Sequence, residues 1–419
     1  MARAGRHLLH RVLDPRHPSL TRLALLLLAT ALVGCAGRPE PEGAVRLVFR
    51  HAAMPGERDP LPALLREFER LHPGVTVQAE ALPWTADVQH QFFVINLEGR
   101  SAGFDVLMLD VIWVAEFARA GWILDLSDRF DAAARAEHFP STITAATLNG
   151  RVWAVPWVMN VGLLYYRRDL LARRGWAAPT TYEELARQAL ALRGEGGIRE
   201  GFLWQGKQYE GLVVNVLESF WALGTDVLGP SGDVLPDPAL AAAALAQRRA
   251  FITDGVSPAL VTAADEEVSR REFGAGAAVF LRNWPYALAL FEAPASPVRG
   301  RVAITALPGG GALGGAHLAI NAATRYPTQA WELVRFLTRP EAQRRIGDAV
   351  GLHPTRPALF ESPALLSIFR GARARPVTPW YQTLSATLQP ELSAAITGVK
   401  PPARALDDAR GRLRYLLLP

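Results

Sequence analysis

The chain has 419 residues, half of them hydrophobic and a fifth charged, with one cysteine and a formal net charge of +5. That length can bury two full cores, and a single thiol means they must stand without disulfides. Residues 1–34 hold five arginines (Arg3, Arg6, Arg11, Arg16, Arg22) and one acid, Asp14, so they account for +5 − 1 = +4 of the charge. The remainder is close to neutral and gives no basis for a nucleic-acid partner.

From Leu23 to Val33 the chain is apolar except for Thr30. This run is shorter than the roughly 20 residues of a membrane span. A basic start followed by a short apolar core predicts a secretory signal over 1–34. Its end, Leu32-Val33-Gly34-Cys35, resembles the bacterial lipobox, in which the cysteine becomes the new N-terminus and takes up lipid. The bland alternative for Cys35 is an inert buried thiol. The position favours the anchor, with 35–43, which includes "PEPEG", as a tether.

Val45, Leu47 and Phe49 alternate with Arg46, Val48 and Arg50, which predicts a strand. Leu61, Leu64, Leu65, Phe68 and Leu71 then share a helical face, with Asp59 as N-cap, Pro60 in the first turn and His72-Pro73-Gly74 as the stop. Val75, Val77, Ala79 and Ala81 alternate as a second strand, and "GFDVLMLD" gives a short buried strand over 104–109. The order strand, helix, strand, strand predicts a doubly wound α/β domain. Breaker residues are densest at Gly229–Pro238 and Pro308–Gly315.

Two glycine motifs fail on context. "GFLWQGKQ" places Gly201, Gly206 and Lys207 as in a P-loop, but Gln208 stands where a magnesium ligand is needed, and Phe202, Leu203 and Trp204 replace the flexible loop. Gly309, Gly311 and Gly314 fit GxGxxG by count, yet "AHLAIN" after them reads as a strand rather than a helix. No cofactor is expected. His51, His72, His90, His138, His317 and His353 are scattered, so no metal site is expected either. Nor is there a GxSxG nucleophile elbow. What remains is tryptophan beside turn and polar residues, as in "AVPWVMN", "FLWQGKQYEG", "RNWPYA" and "PVTPWYQ". A core strand seldom contains Asn-Trp-Pro-Tyr, because proline cannot donate in a ladder. Flat rings suit the C–H faces of sugars, and Asp, Glu, Asn and Arg suit their hydroxyls.

The segments "MLDVIWVAEFARAGWILDL", "PWVMNVGLLYYRRDLL", "FLWQGKQYEGL", "RNWPYA" and "RPVTPWYQ" resemble, in order, an extracellular solute-binding protein of a bacterial ABC sugar importer. The similarity is strongest to the trehalose/maltose-binding branch. The resemblance implies a two-lobe periplasmic-binding-protein fold with a ligand cleft between lobes and several hinge crossings. The N-terminal lobe is expected over 44–158 and 316–362, and the C-terminal lobe over 159–315 and 363–419. The helix of "PTQAWELVRFLT" would pack on the first lobe through Trp331, Val334 and Leu337. Ligand should lie at the carboxyl ends of strands, where Asp110 stands.

By residue, the resemblance gives Asp110 and Glu57 as carboxylates for sugar hydroxyls, and Trp284 as a stacking ring. Gly314 and Gly315 correspond to a backbone contact, and Arg375 and Tyr381 to a polar clamp. Two positions depart from that branch. Asn160 replaces an Asp, exchanging an acceptor-only group for a neutral donor and acceptor. Ala316 replaces a frequent Trp and leaves room.

The implied function is capture of a di- or oligosaccharide outside the cytoplasmic membrane. A lipid-anchored monomer would hand the sugar to ABC permease subunits and perform no catalysis. The competing class is an extracytoplasmic glycosidase, which would need two carboxylates about 5–10 Å apart, with Asp110 and Glu57 as the pair.

Overall fold

The computed structural model describes residues 44–53, 59–83, 86–229 and 231–416. Cys35 and the signal segment lie outside the described residues, as does Glu57. The alternating strand forms as β1 (Val45–Ala52), with Leu47 and Phe49 fully buried. Helix α1 (Leu61–Leu71) buries Leu61, Leu64, Leu65 and Phe68. Leu71, expected on that face, is 58% exposed. The expected cap also differs. Pro60 holds the N-cap position, and Asp59 Oδ1 instead accepts the Leu61 N–H at 2.9 Å.

β2 (Val75–Leu82), α2 (Ala86–Glu98) and β3 (Val106–Asp110) follow. β3 is buried along its length except for Asp110 at its carboxyl end. After α3 (Val114–Arg119), β4 (Val155–Val161) runs into β5 (Leu163–Arg167) with only Gly162 between them. The middle of the chain carries α4 (Tyr182–Leu192), β6 (Glu200–Leu203), α5 (Glu210–Ala222) and α6 (Pro238–Thr253). Next come α7 (Glu266–Gly274), β7 (Ala278–Asn283), β8 (Val302–Ala306) and β9 (Leu313–Ile320). The chain closes with α8 (Pro327–Leu337), α9 (Pro340–Val350), β10 (His353–Pro354), α10 (Pro363–Arg370), α11 (Tyr381–Ile396) and α12 (Pro402–Leu416).

These strands make two main sheets. The first has the order β10-β4-β9-β3-β1-β2 and the second β8-β5-β7-β6. In the first, β1 and β3 are parallel, and β9 runs antiparallel to both β3 and β4. In the second, β6 is parallel to β7, and β5 is antiparallel to β7 and β8. The α8 face expected to pack is buried, with Trp331 9% exposed and Val334 and Leu337 at 0%. The Trp157 indole N–H donates to the Leu337 carbonyl at 3.1 Å, tying α8 to β4.

The chain passes between the sheets three times. It leaves the first at Gly162 and returns between Ala306 and Leu313. Helix α10 packs Phe369 against His353 and Phe360 beside the first sheet, at ring separations of 4.5 and 5.0 Å. The third passage follows at 371–375. There Arg373 lies alongside Ala312 and its carbonyl accepts the Leu313 N–H at 2.7 Å.

Candidate ligand-binding site

Strand β9 gathers much of the site, because its first residues pair or pack with Asn160, Asp110 and Trp284. Gly314 stands opposite Asn160 and Gly315 opposite Met159 on β4, while Ala316 faces Asp110 on β3. A Cβ on Gly314 would lie 3.1 Å from Cζ3 of Trp284, so the bare backbone lets the ring approach. Gly315 has φ +113, and a Cβ there would be 2.3 Å from the Val158 carbonyl oxygen. Its reason for being glycine is backbone geometry.

Asp110 is positioned by a buried strand that ends at the surface. Its Oδ1 accepts the Ile112 N–H at 3.2 Å and Arg375 Nη2 at 3.2 Å. Arg375 also donates through Nη1 to Glu210 Oε1 at 2.8 Å. The guanidinium is 5% exposed and joins a carboxylate at the carboxyl end of β3 to one at the start of α5. Burial disfavours its charge, but Asp110, Tyr381 and Glu210 outweigh burial and raise its pKa.

Tyr381 is buried at the start of α11 and donates its hydroxyl to Glu210 Oε1 at 2.6 Å. Burial, and then the Glu210 charge, hold the phenol well above its usual pKa, so it stays a donor. Ser385 Oγ, one turn further on, donates to Glu210 Oε2 at 2.5 Å. The expected clamp of Arg375 and Tyr381 therefore closes on Glu210, which sequence reasoning missed. Its only signal was its place in "QYEGL".

Trp284 follows β7 and is half-buried. Its backbone N–H donates to Asn283 Oδ1 at 2.8 Å, and its carbonyl accepts the Tyr165 hydroxyl at 2.7 Å. Its indole N–H reaches Glu266 Oε1 at 3.3 Å, while Tyr209 donates to the other oxygen of Glu266 at 2.6 Å. Asn160 sits on β4 with its Oδ1 buried and without a partner among the described residues. An unpaired buried acceptor costs about 1–3 kcal/mol, so this atom calls for a donor.

Beside Asp110 and Arg375 lies a cavity of about 10 Å³ lined by residues including Ile112, Leu313 and Pro376, room for about one water. Small-molecule sites span roughly 300–1,000 Å³, so this cavity by itself does not hold one.

The rejected glycine motifs have ordinary packing roles. A Cβ on Gly201 would lie 2.5 Å from the Val256 carbonyl oxygen, and one on Gly206 would lie 2.6 Å from that of Val261. These glycines are pressed against neighbouring backbone, unlike an open phosphate cradle. Gly309 and Gly311 lead into β9, a strand, and Gly314 lies within it. Among the described residues no cluster of His, Cys, Asp and Glu could hold a metal ion.

The family model for bacterial extracellular solute-binding proteins matches residues 55–344. The chain belongs to that family. A probable ABC transporter-binding protein of Deinococcus radiodurans is 32% identical to this solute-binding protein over 367 residues, spanning 81% of this chain and 86% of the relative. Among solved structures, maltose-bound MalE3 of T. maritima superposes with a TM-score of 0.80 at 36% identity. The match covers 89% of this chain and all of that one. The GacH receptor of Streptomyces glaucescens, solved unliganded and with acarbose, has a TM-score of 0.77 at 20% identity, covering 89% and 98%, and shares the fold. The two sheets are thus the two lobes of an ABC transporter's substrate-binding protein. No described helix is long and apolar enough to cross a membrane.

Proposed function

We propose that this protein captures a di- or oligosaccharide of the maltose or trehalose kind outside the cytoplasmic membrane and delivers it to the permease of an ABC importer. The observation that carries the reading is the surface around β9. There the Trp284 ring meets bare glycine backbone, with the unpaired Asn160 Oδ1 opposite Gly314 and the Asp110 carboxylate opposite Ala316. A ring face, two oxygen acceptors and a buried guanidinium suit a ligand with C–H faces and many hydroxyls. The maltose-bound relative at 36% identity supports the same class.

In this reading Asp110, Asn160, Trp284, Gly314, Gly315, Arg375 and Tyr381 form the binding surface. Glu57, outside the described residues, is taken to contribute a further carboxylate, and Glu210 holds the clamp. Asn160 and Ala316 set which sugar fits. On this reading the lobes divide at the three passages, at Gly162, 307–312 and 371–375, where the sequence led us to expect 158/159, 315/316 and 362/363. A signal over 1–34 and lipid on Cys35 tether a monomer to the outer side of the membrane.

The test is thermal unfolding with maltose, trehalose, longer glucans and unrelated solutes, followed by titration calorimetry. Ligand at 100 times its Kd adds about 2.7 kcal/mol to stability. One or more sugars should give saturable, one-to-one binding. Stabilisation by amino acids or polyamines with none by sugars would overturn the reading.

A further inference from the structure

The second lobe buries a pair of charges apart from the Arg375 cluster. Arg282 on β7 and Glu218 on α5 are both 0% exposed. Arg282 Nε donates to Glu218 Oε2 at 2.9 Å and Nη2 to Oε1 at 2.6 Å, while Nη1 reaches Gln205 Oε1 at 3.3 Å. The guanidinium carbon lies 4.1 Å from the centre of the Trp284 ring, so the ring rests on the arginine.

The same carboxylate also grips the crossing backbone. Glu218 Oε1 accepts the Ala312 N–H at 3.1 Å. A Cβ on Gly162 would lie 2.1 Å from that oxygen and 2.7 Å from Arg282 Nη2. Gly162 and Ala312 belong to two of the three passages and are themselves bonded, Gly162 N–H to the Ala312 carbonyl at 3.1 Å. One ion pair therefore touches the ring from below and both passages from the side.

Stability is a weak account of such a pair. Taking two charges out of water costs much of what their attraction returns, and apolar replacements of buried pairs are often neutral or stabilising. Geometry is a better account. The fork of an arginine held on both oxygens of a carboxylate fixes the plane of the guanidinium, and a planar cation fixes the ring lying on it.

We propose that the Arg282–Glu218 pair is a positioning device that locks the Trp284 ring to the backbone crossing at Gly162 and Ala312. Ligand stacking on the ring is thereby coupled to movement of the crossing. The proposal rests on the reading of Trp284 as a stacking surface.

The experiment is a double-mutant cycle in the full-length protein. Arg282→Lys keeps the charge and loses the fork. The double variant Glu218→Gln, Arg282→Met removes the buried charges together and serves where the lysine variant fails to fold. Each is combined with Trp284→Ala, and maltose binding is measured by calorimetry. With the tryptophan present, loss of the pair should weaken maltose about tenfold, and with the tryptophan removed the same loss should have about a twofold effect or less. Equal losses in both backgrounds, or none in either, overturn the proposal.

A second readout does not need sugar. The indole N–H resonance of Trp284, identified by its disappearance in Trp284→Ala, should shift and broaden in the pair variants. An unchanged resonance overturns the positioning role. A wild-type protein that ignores maltose, trehalose and longer glucans while this resonance still responds to the pair counts against the sugar reading alone.

Discussion

Acidification from pH 7.5 to 5 should remove a large share of this protein's stability through three buried histidines. His138, His317 and His353 are each held at a pKa of about 4, against an ordinary 6.5. Burial is the main cause for each, and His138 is further lowered by His317. His138 Nδ1 bonds Thr355 Oγ1 at 2.8 Å and His317 Nε2 faces the Thr142 carbonyl at 3.1 Å, both in the buried first lobe. The unfolded chain takes up protons as pH falls through 6.5, while the folded one resists until about 4. Their contribution is therefore complete above 6.5 and is lost as pH falls. At pH 5 each histidine costs about 2 kcal/mol, and three cost roughly 6 kcal/mol of a net stability of about 5–15 kcal/mol. His51 is lowered as well and adds to the loss, whereas Asp226, raised by burial, acts in the opposite sense. The assay is urea unfolding at pH 7.5, 6 and 5. His353→Phe sharpens it, because this ring packs on Phe360 and Phe369 and its Nδ1 has no partner among the described residues. That variant should lose about a third less stability over the same range. A wild-type midpoint flat between pH 7.5 and 5, or an identical fall in His353→Phe, would refute the argument.

Three further outcomes are expected. Trp284→Ala should weaken sugar binding by about 2–3 kcal/mol, roughly 30- to 150-fold in Kd, as the stacking surface and its buried area are lost; calorimetry on the folded variant reads this directly. Asn160→Asp should improve maltose or trehalose relative to the best sugar of the unsubstituted protein, and an unchanged ratio would put this position outside the recognition surface. Cys35→Ala should abolish lipid labelling and release the protein from membranes or leave its signal uncleaved; a shortened, lipid-labelled product would show that the anchor lies elsewhere.

Local pattern made the first lobe readable. The alternation at 45–50 and the helical pattern over 61–71 became β1 and α1, with Leu71 left exposed. A continuous apolar run became the buried β3, with Asp110 at its end. The strand read in "AHLAIN" formed, but it starts three residues earlier, at Leu313, inside a segment read as breakers, and those first residues carry the site. Features set by distant pairing were not readable. Glu210 looks like any acid at a helix start until Arg375, 165 residues later, arrives beside it. Nothing local announces that Arg282 and Glu218 are partners, 64 residues apart, in a dry interior. β4 reaches Val161 because Asn160 and Val161 pair with Gly314 and Leu313, and that register depends on a strand 150 residues further on.

The charges around Arg375 also narrow the kind of ligand. Asp110 and Glu210, from opposite sides of the site, would repel each other if left alone, and a neutral sugar has no charge with which to replace the guanidinium between them. On the proposed reading Arg375 therefore stays, and ligand uses what it leaves free. Both hydrogen bonds described for Asp110 fall on Oδ1, so Oδ2 is available to a hydroxyl. Asn160 Oδ1 is a second acceptor, one β9 ladder position from the Trp284 ring. Two acceptors beside a flat ring favour a molecule that donates through hydroxyls and presents C–H faces. An anionic solute would instead need a cation already committed to two carboxylates. On the proposed reading a sugar contacts both lobes, and its hydroxyls bind their closed arrangement more strongly than an open one.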